Sequence, residues 1–143
     1  MSSLVRTVLD ILARSVVLVA LTEGVAELFF AANPDDDGLG TGLTAMFALV
    51  CAAAAWGLWD GFHRRPLRLC LTWAGVGALV FVGLTVFADL RYDRFSWSAL
   101  ADDLSDGLAF WTLLVFVPAV LLGILPSVLR RRDDAAATAY DGR

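Results

Sequence analysis

Two pairs of ionisable residues, each four apart, interrupt an otherwise apolar stretch near the start of the chain: Asp10 with Arg14, and Glu23 with Glu27. A four-residue spacing places both members of a pair on one face of a helix. An aspartate and an arginine so placed form an ion pair along the helix, which is a structural contact. Two carboxylates so placed suit a different chemistry. Burial and a like-charged neighbour both favour uptake of a proton or a cation, as in membrane sites that couple transport to an ion. The plainer alternative has Glu27 reaching water and Glu23 hydrogen-bonded inside a bundle. At about 100° per residue the two pairs lie roughly 220° apart, so a single buried stripe cannot cover both.

No other constellation points to catalysis. His63 is the one histidine, and Cys51 and Cys70 fall at different depths of different apolar stretches. That excludes a metal set and argues against a disulfide, leaving both cysteines as small apolar fillers. The chain has no GxSxG, phosphate-binding loop or dinucleotide fingerprint. Asp60, Gly61, His63 and Arg64 could bind an anionic headgroup, although charge anchoring explains them equally simply. The expectation is therefore a protein that is not an enzyme and carries no cofactor or metal.

The elements that position these residues follow from hydropathy. The chain has 143 residues, 59% hydrophobic and 18% charged, with a mean hydropathy of +0.72. That composition excludes disorder, a disulfide-stapled secreted module and a nucleic-acid binder. The apolar residues fall in four blocks, each near the length of about 20 residues that a membrane helix needs. They are Val8 to Ala32, Leu39 to Trp59, Leu67 to Ala88 and Gly107 to Leu129. The fold class expected is an all-α membrane protein, a four-transmembrane-helix bundle over residues 1–132 with a disordered tail over 133–143. Phe95, Trp97, Leu100 and Leu104 could add a short interfacial helix before the last span. A cleaved leader ending near Ala31 and Ala32 is disfavoured, because Glu23 and Glu27 do not suit its apolar core.

Arginines orient the bundle, since basic residues collect in short cytoplasmic loops. All 11 basic residues are arginine, with Arg64, Arg65 and Arg68 in the second connector and Arg130, Arg131 and Arg132 after the last span. The first and third connectors instead hold eight aspartates against Arg91 and Arg94. Both termini are expected in the cytoplasm of a bacterial cell, in its inner membrane, with two acidic loops outside. Such loops would concentrate cations at the outer mouth, or simply reflect orientation. Trp56, Trp59 and Trp73 near the inner boundary, and Tyr92, Phe95, Trp97 and Trp111 near the outer one, match interfacial belts. The arginine-only basic set on an Ala/Leu/Val/Gly background also suggests an actinobacterial, GC-rich genome.

Within the spans, Pro118 removes a backbone hydrogen bond and frees the carbonyl of Leu114, which makes it a hinge candidate or a packing kink. The small-xxx-small spacings Ala53–Gly57 and Ala74–Ala78 predict that spans two and three pack as a close antiparallel pair.

Three stretches carry a family resemblance: WGLWDG (Trp56 to Gly61), LTWAGVGAL (Leu71 to Leu79) and DLSDGLAFWTLLVFVPAVLLG (Asp103 to Gly123). In this order and spacing they resemble small actinobacterial four-helix membrane proteins labelled as drug/metabolite-transporter-like. The similarity covers about the last two-thirds of the chain and reaches Trp56, Gly57, Asp60, Gly61, Trp73 and Pro118; Glu23 and Glu27 lie outside it. It implies transport, without assigning binding residues. The small multidrug exporters also have a glutamate in their first helix, but the motif around it is missing here. The expected function is a transporter or exporter of a cationic or hydrophobic solute, embedded in the lipid bilayer, as a homodimer or in a larger complex. Its rival is a non-catalytic accessory or scaffold subunit of a larger membrane complex.

Overall fold

The computed structural model describes residues 3–91 and 96–141, all in four helices and their connectors: α1 (Ser3–Ala32), α2 (Leu39–His63), α3 (Pro66–Arg91) and α4 (Trp97–Asp141). Tyr92 and Phe95 of the expected aromatic belt, and Arg94, lie outside the described residues, as do the side chains of Arg130–Arg132. Local chemistry sets the boundaries. Pro34 disfavours helix at Asn33, where α1 stops. Gly38 takes a left-handed φ of 93° immediately before α2, a conformation that only glycine adopts without penalty. Arg64 turns extended after α2, and Pro66 opens α3 at the first helical position, where its missing N–H costs nothing.

The acidic turn before α2 is held by Asp36. Its carboxylate accepts hydrogen bonds from the Thr41 hydroxyl at 2.6 Å, the Thr41 amide at 2.8 Å and the amides of Gly38 and Gly40 at 3.2 and 3.3 Å. The hydroxyl bond of Thr41 comes first among the causes that hold the Asp36 pKa below its ordinary value. A depressed carboxyl contributes order above its ordinary pKa and loses it as pH falls through the lower, folded value. Hydrogen exchange at the Thr41 amide is expected to stay slow through mildly acidic pH and to speed up only below the ordinary aspartate range. Asp36→Asn should remove that pH step.

Among the described residues three helices are long and apolar enough to cross a membrane: α2, α3 and the Leu100–Pro126 portion of α4. The first block expected to span forms α1, which is not among them and keeps Asp10, Arg14, Glu23 and Glu27. The fourth block is a segment of a single 45-residue helix, ~68 Å long at 1.5 Å per residue. Trp97, Leu100 and Leu104 are its first turns, so the separate interfacial helix expected there is absent. The helix also continues through residues 133–141, where a disordered tail was expected; alanine, the strongest helix former, supplies three consecutive residues there.

The spatial order departs from the chain order. α1 packs on α2 and α3, α4 packs on α2 and α3, and among the described residues the backbones of α1 and α4 do not approach each other closely. The helices thus form a ring, α1–α2–α4–α3, with α2 and α3 facing each other across a diagonal. The close α2–α3 pair expected from Ala53–Gly57 and Ala74–Ala78 does not form; Ala74 is exposed. Gly57 and Gly61 meet α4 instead. A Cβ on Gly57 would fall on the backbone of Ala119, and one on Gly61 on the backbone of Gly123. Both contacts advance together along the two helices, so α2 and α4 run parallel with small residues interlocked at a four-residue spacing. α1 and α3 are also parallel, in a constant register: Ile11 opposes Gly75, Val19 opposes Gly83, and Glu27 pairs with Arg91. The apolar core at the centre contains Leu18, Leu49, Trp73, Val76 and Val115, each 0% exposed.

Candidate functional site: a buried ion cluster and a distal acidic cavity

The end of the bundle that holds the α2–α3 connector is termed proximal, and the end with the 33–38 turn distal. The proximal half contains a buried charge cluster built on the WGLWDG stretch. Asp60 is 2% exposed and Arg14 5%. The Arg14 guanidinium makes a two-pronged contact, Nη2 to Asp60 Oδ1 at 3.0 Å and Nη1 to Oδ2, and its Nε reaches Asp10 Oδ1 at 3.0 Å. Arg64 closes the circuit, with Nη2 on Asp10 Oδ2 at 2.6 Å and Nε on Asp60 Oδ1 at 3.2 Å. The Trp73 indole donates to Asp60 Oδ2 at 3.1 Å. The rings of Trp56 and Trp73 lie 5.0 and 5.7 Å from the Arg14 guanidinium carbon, within cation–π range.

Two aspartates balance two arginines, and both carboxylate oxygens of Asp60 are hydrogen-bonded, with Arg64 in ion-pair contact beside them. A neutral, fully bonded cluster can be held in an apolar interior, whereas one unpaired charge there is costly. Asp10 and Arg14 thus form their expected helical pair, but as half of a four-residue network. The stretch WGLWDG serves both neighbours of α2. Trp56 and Asp60 are four apart and face α1; Gly57 and Gly61, on the adjacent stripe, face α4. Sequence spacing held a clue to the Arg14–Asp60 contact. In an antiparallel hairpin turning at 33–38, positions 14 and 60 lie at similar distances from the turn. Asp60 stood out in the sequence only as part of a headgroup-binding or charge-anchoring set and through the family resemblance, not as a partner of Arg14.

The distal half is built differently. Glu27 pairs with Arg91 of α3 in an exposed contact. Glu23, half-buried, lines two adjoining cavities. The first, about 370 Å³, also contains Glu27, Phe30, Thr41 and Arg91. The second, about 430 Å³, reaches between all four helices and contains Glu23, Asp89, Asp103, Met46, Phe81 and Trp111 among its walls. Both glutamates therefore meet protein groups or a cavity, which the 220° separation from Asp10 and Arg14 permits because α1 has a neighbour on each side. Asp89 and Asp103 were missed in sequence as anything beyond loop charge, since nothing local shows that α3 and α4 turn them toward a shared space.

Pro118 lies inside α4 next to Ala119, the residue on which Gly57 rests, and it also lines an apolar groove with Val50 and Leu121. Cys51 and Cys70 are free. Among the described residues no group of three His, Cys, Asp or Glu side chains could hold a metal ion. No known family, curated protein or solved structure matches the chain.

Proposed function

We propose that the chain is a small integral membrane protein that binds and moves a cationic or hydrophobic solute, with Glu23 as its coupling carboxylate. The observation that carries this reading is the position of Glu23, half-buried on the wall of a cavity rather than on the outer surface of α1. An ionisable group held at such depth in an apolar chain is a functional candidate by default. Glu27, paired with Arg91, shapes the mouth. The distal cavity faces the outside of a bacterial inner membrane, both termini lie in the cytoplasm, and the drug/metabolite-transporter resemblance of the last three helices agrees with transport. Passage to the other side requires the apolar core and the proximal ion cluster to part, with Pro118 the hinge beside the α2–α4 contact.

Purified protein in lipid vesicles with an imposed pH gradient tests this. Glu23→Gln is expected to abolish gradient-driven uptake of a lipophilic cation, and Glu27→Gln to weaken it, since Glu27 already has a partner. Undiminished, still pH-dependent uptake in both variants overturns the coupling role.

One observation favours the accessory-subunit reading: below the distal cavities the bundle is closed, by a central apolar core whose Leu18, Leu49, Trp73, Val76 and Val115 are 0% exposed and by the charge-balanced proximal cluster. Such a subunit would come down in mild detergent with a larger partner at fixed stoichiometry. A homodimer alone would speak for the transporter.

A further inference from the structure

The three arginines at the α2–α3 connector are sent in opposite directions by the fold. Arg64 turns inward, where its guanidinium reaches Asp10, Asp60 and, at 3.4 Å, the Thr72 hydroxyl. Arg65 and Arg68 are exposed and meet no carboxylate among the described residues. The nearby acids are already spent, since Asp10 and Asp60 are neutralised by Arg14 and Arg64. Two positive charges are therefore left uncompensated at the proximal surface. Arg65 stands directly before α3, its carbonyl accepting the Leu69 amide at 3.0 Å, so the positive end of the helix dipole falls at the same spot. Toward the bundle centre the charge gives way to an apolar stripe: Leu67 and Leu71, four apart on α3, are 72% and 64% exposed. Trp59, equally far from the connector on α2, is also exposed, with its ring centroid 5.1 Å from that of His63. An exposed indole at this level is the side chain that a membrane boundary favours.

We propose that the start of α3 is a binding site for an anionic phospholipid, its phosphate held between Arg65 and Arg68 and its acyl chain lying along Leu67 and Leu71. The inference rests on the membrane reading above and is independent of transport. It shifts the headgroup contact away from the set legible in the sequence, because Asp60 and Arg64 are consumed inside the bundle. Charge complementarity selects an anion, and guanidinium groups suit the oxygens of a phosphate. A soluble anion would leave the exposed leucines unused, whereas a lipid engages both parts of the surface. The distal end offers no equivalent among the described residues, since Arg91 there is paired with Glu27.

The test uses the full chain in phosphatidylcholine vesicles doped with phosphatidylglycerol or phosphatidylcholine spin-labelled on the acyl chain. The fraction of label immobilised by the protein gives the relative association of the two lipids. Phosphatidylglycerol is expected to be preferred, and Arg65→Gln or Arg68→Gln each to lower that preference by about fivefold, the worth of one basic residue at an anionic surface. The double variant should remove most of it, and the double replacement by lysine should keep most of it. Arg6→Gln, equally exposed but on the Asp10–Arg14 stripe of α1, should cost less than either single variant. At matched ionic strength, inorganic phosphate should compete no better than chloride. Equal association of the two lipids, a preference untouched in the double glutamine variant, or a loss in Arg6→Gln as large as in Arg65→Gln overturns the site. Specific displacement by inorganic phosphate overturns the lipid assignment in favour of a free anion. Failure of the membrane reading looks different: alkaline carbonate would then strip the chain from the vesicles, and the site would fall with it. A chain that resists carbonate but shows no lipid preference removes the site alone.

Discussion

Asp60→Ala is expected to lower the unfolding free energy by about 3–5 kcal/mol, the range for removing one partner of a buried ion pair. Three groups lose their acceptor at once: the guanidinium of Arg14, the Nε of Arg64 and the indole of Trp73. Arg14 is the costly one, because it is 5% exposed and keeps only Asp10. The double variant Arg14→Met with Asp60→Leu should recover most of the loss. It removes a positive and a negative charge together and leaves the Asp10–Arg64 pair, at 2.6 Å, still balanced. Replacing buried pairs by apolar side chains of similar volume is often neutral. Reversible unfolding in detergent micelles, read through the midpoint and its cycle of single and double variants, measures this. A double variant no more stable than the worse single one would show that the cluster does not act through charge balance.

Gly61→Val should be comparably damaging for a steric reason. A Cβ at this position falls on the backbone of Gly123, and one at Gly57 on the backbone of Ala119. A flexible side chain could yield, but helix backbone cannot, so α2 and α4 must separate. The cost is expected at about 3 kcal/mol or more, the upper end for overpacking. Gly24→Ala is the control, because a Cβ there meets nothing within 4 Å. It should leave the unfolding midpoint unchanged or raise it slightly, since alanine suits a helix interior better than glycine. A Gly61 variant as stable as Gly24→Ala would mean that α2 and α4 are not in contact at this point.

These two substitutions sit one residue apart and fail by different physics, which explains how partially the sequence revealed the site. Periodicity finds which residues share a helix face, and it paired Asp10 with Arg14 and Glu23 with Glu27 correctly as neighbours. It does not reveal which helix lies opposite that face. In a chain this apolar, hydropathy is high all around each helix, so the inward stripe is not marked as it is in a water-soluble bundle. The small-residue spacings Ala53–Gly57 and Ala74–Ala78 accordingly suggested that α2 and α3 were partners, whereas Gly57 and Gly61 of α2 accept α4.

Length, hydropathy and the turn residues at Pro34, Gly38 and Pro66 mark by themselves the end of α1 and the starts of α2 and α3, whereas α1 begins five residues before the apolar block and α2 and α3 run three to four residues past theirs. Those are local choices, governed by backbone dihedrals and by runs of apolar side chains. Tertiary structure alone decided the ring order, the closure of the Asp10–Arg14–Asp60–Arg64 circuit and the pairing of Glu27 with Arg91. Each depends on groups up to 64 residues apart meeting at one depth. That meeting is fixed by how closely glycines let two backbones approach, and no single segment of the sequence encodes it.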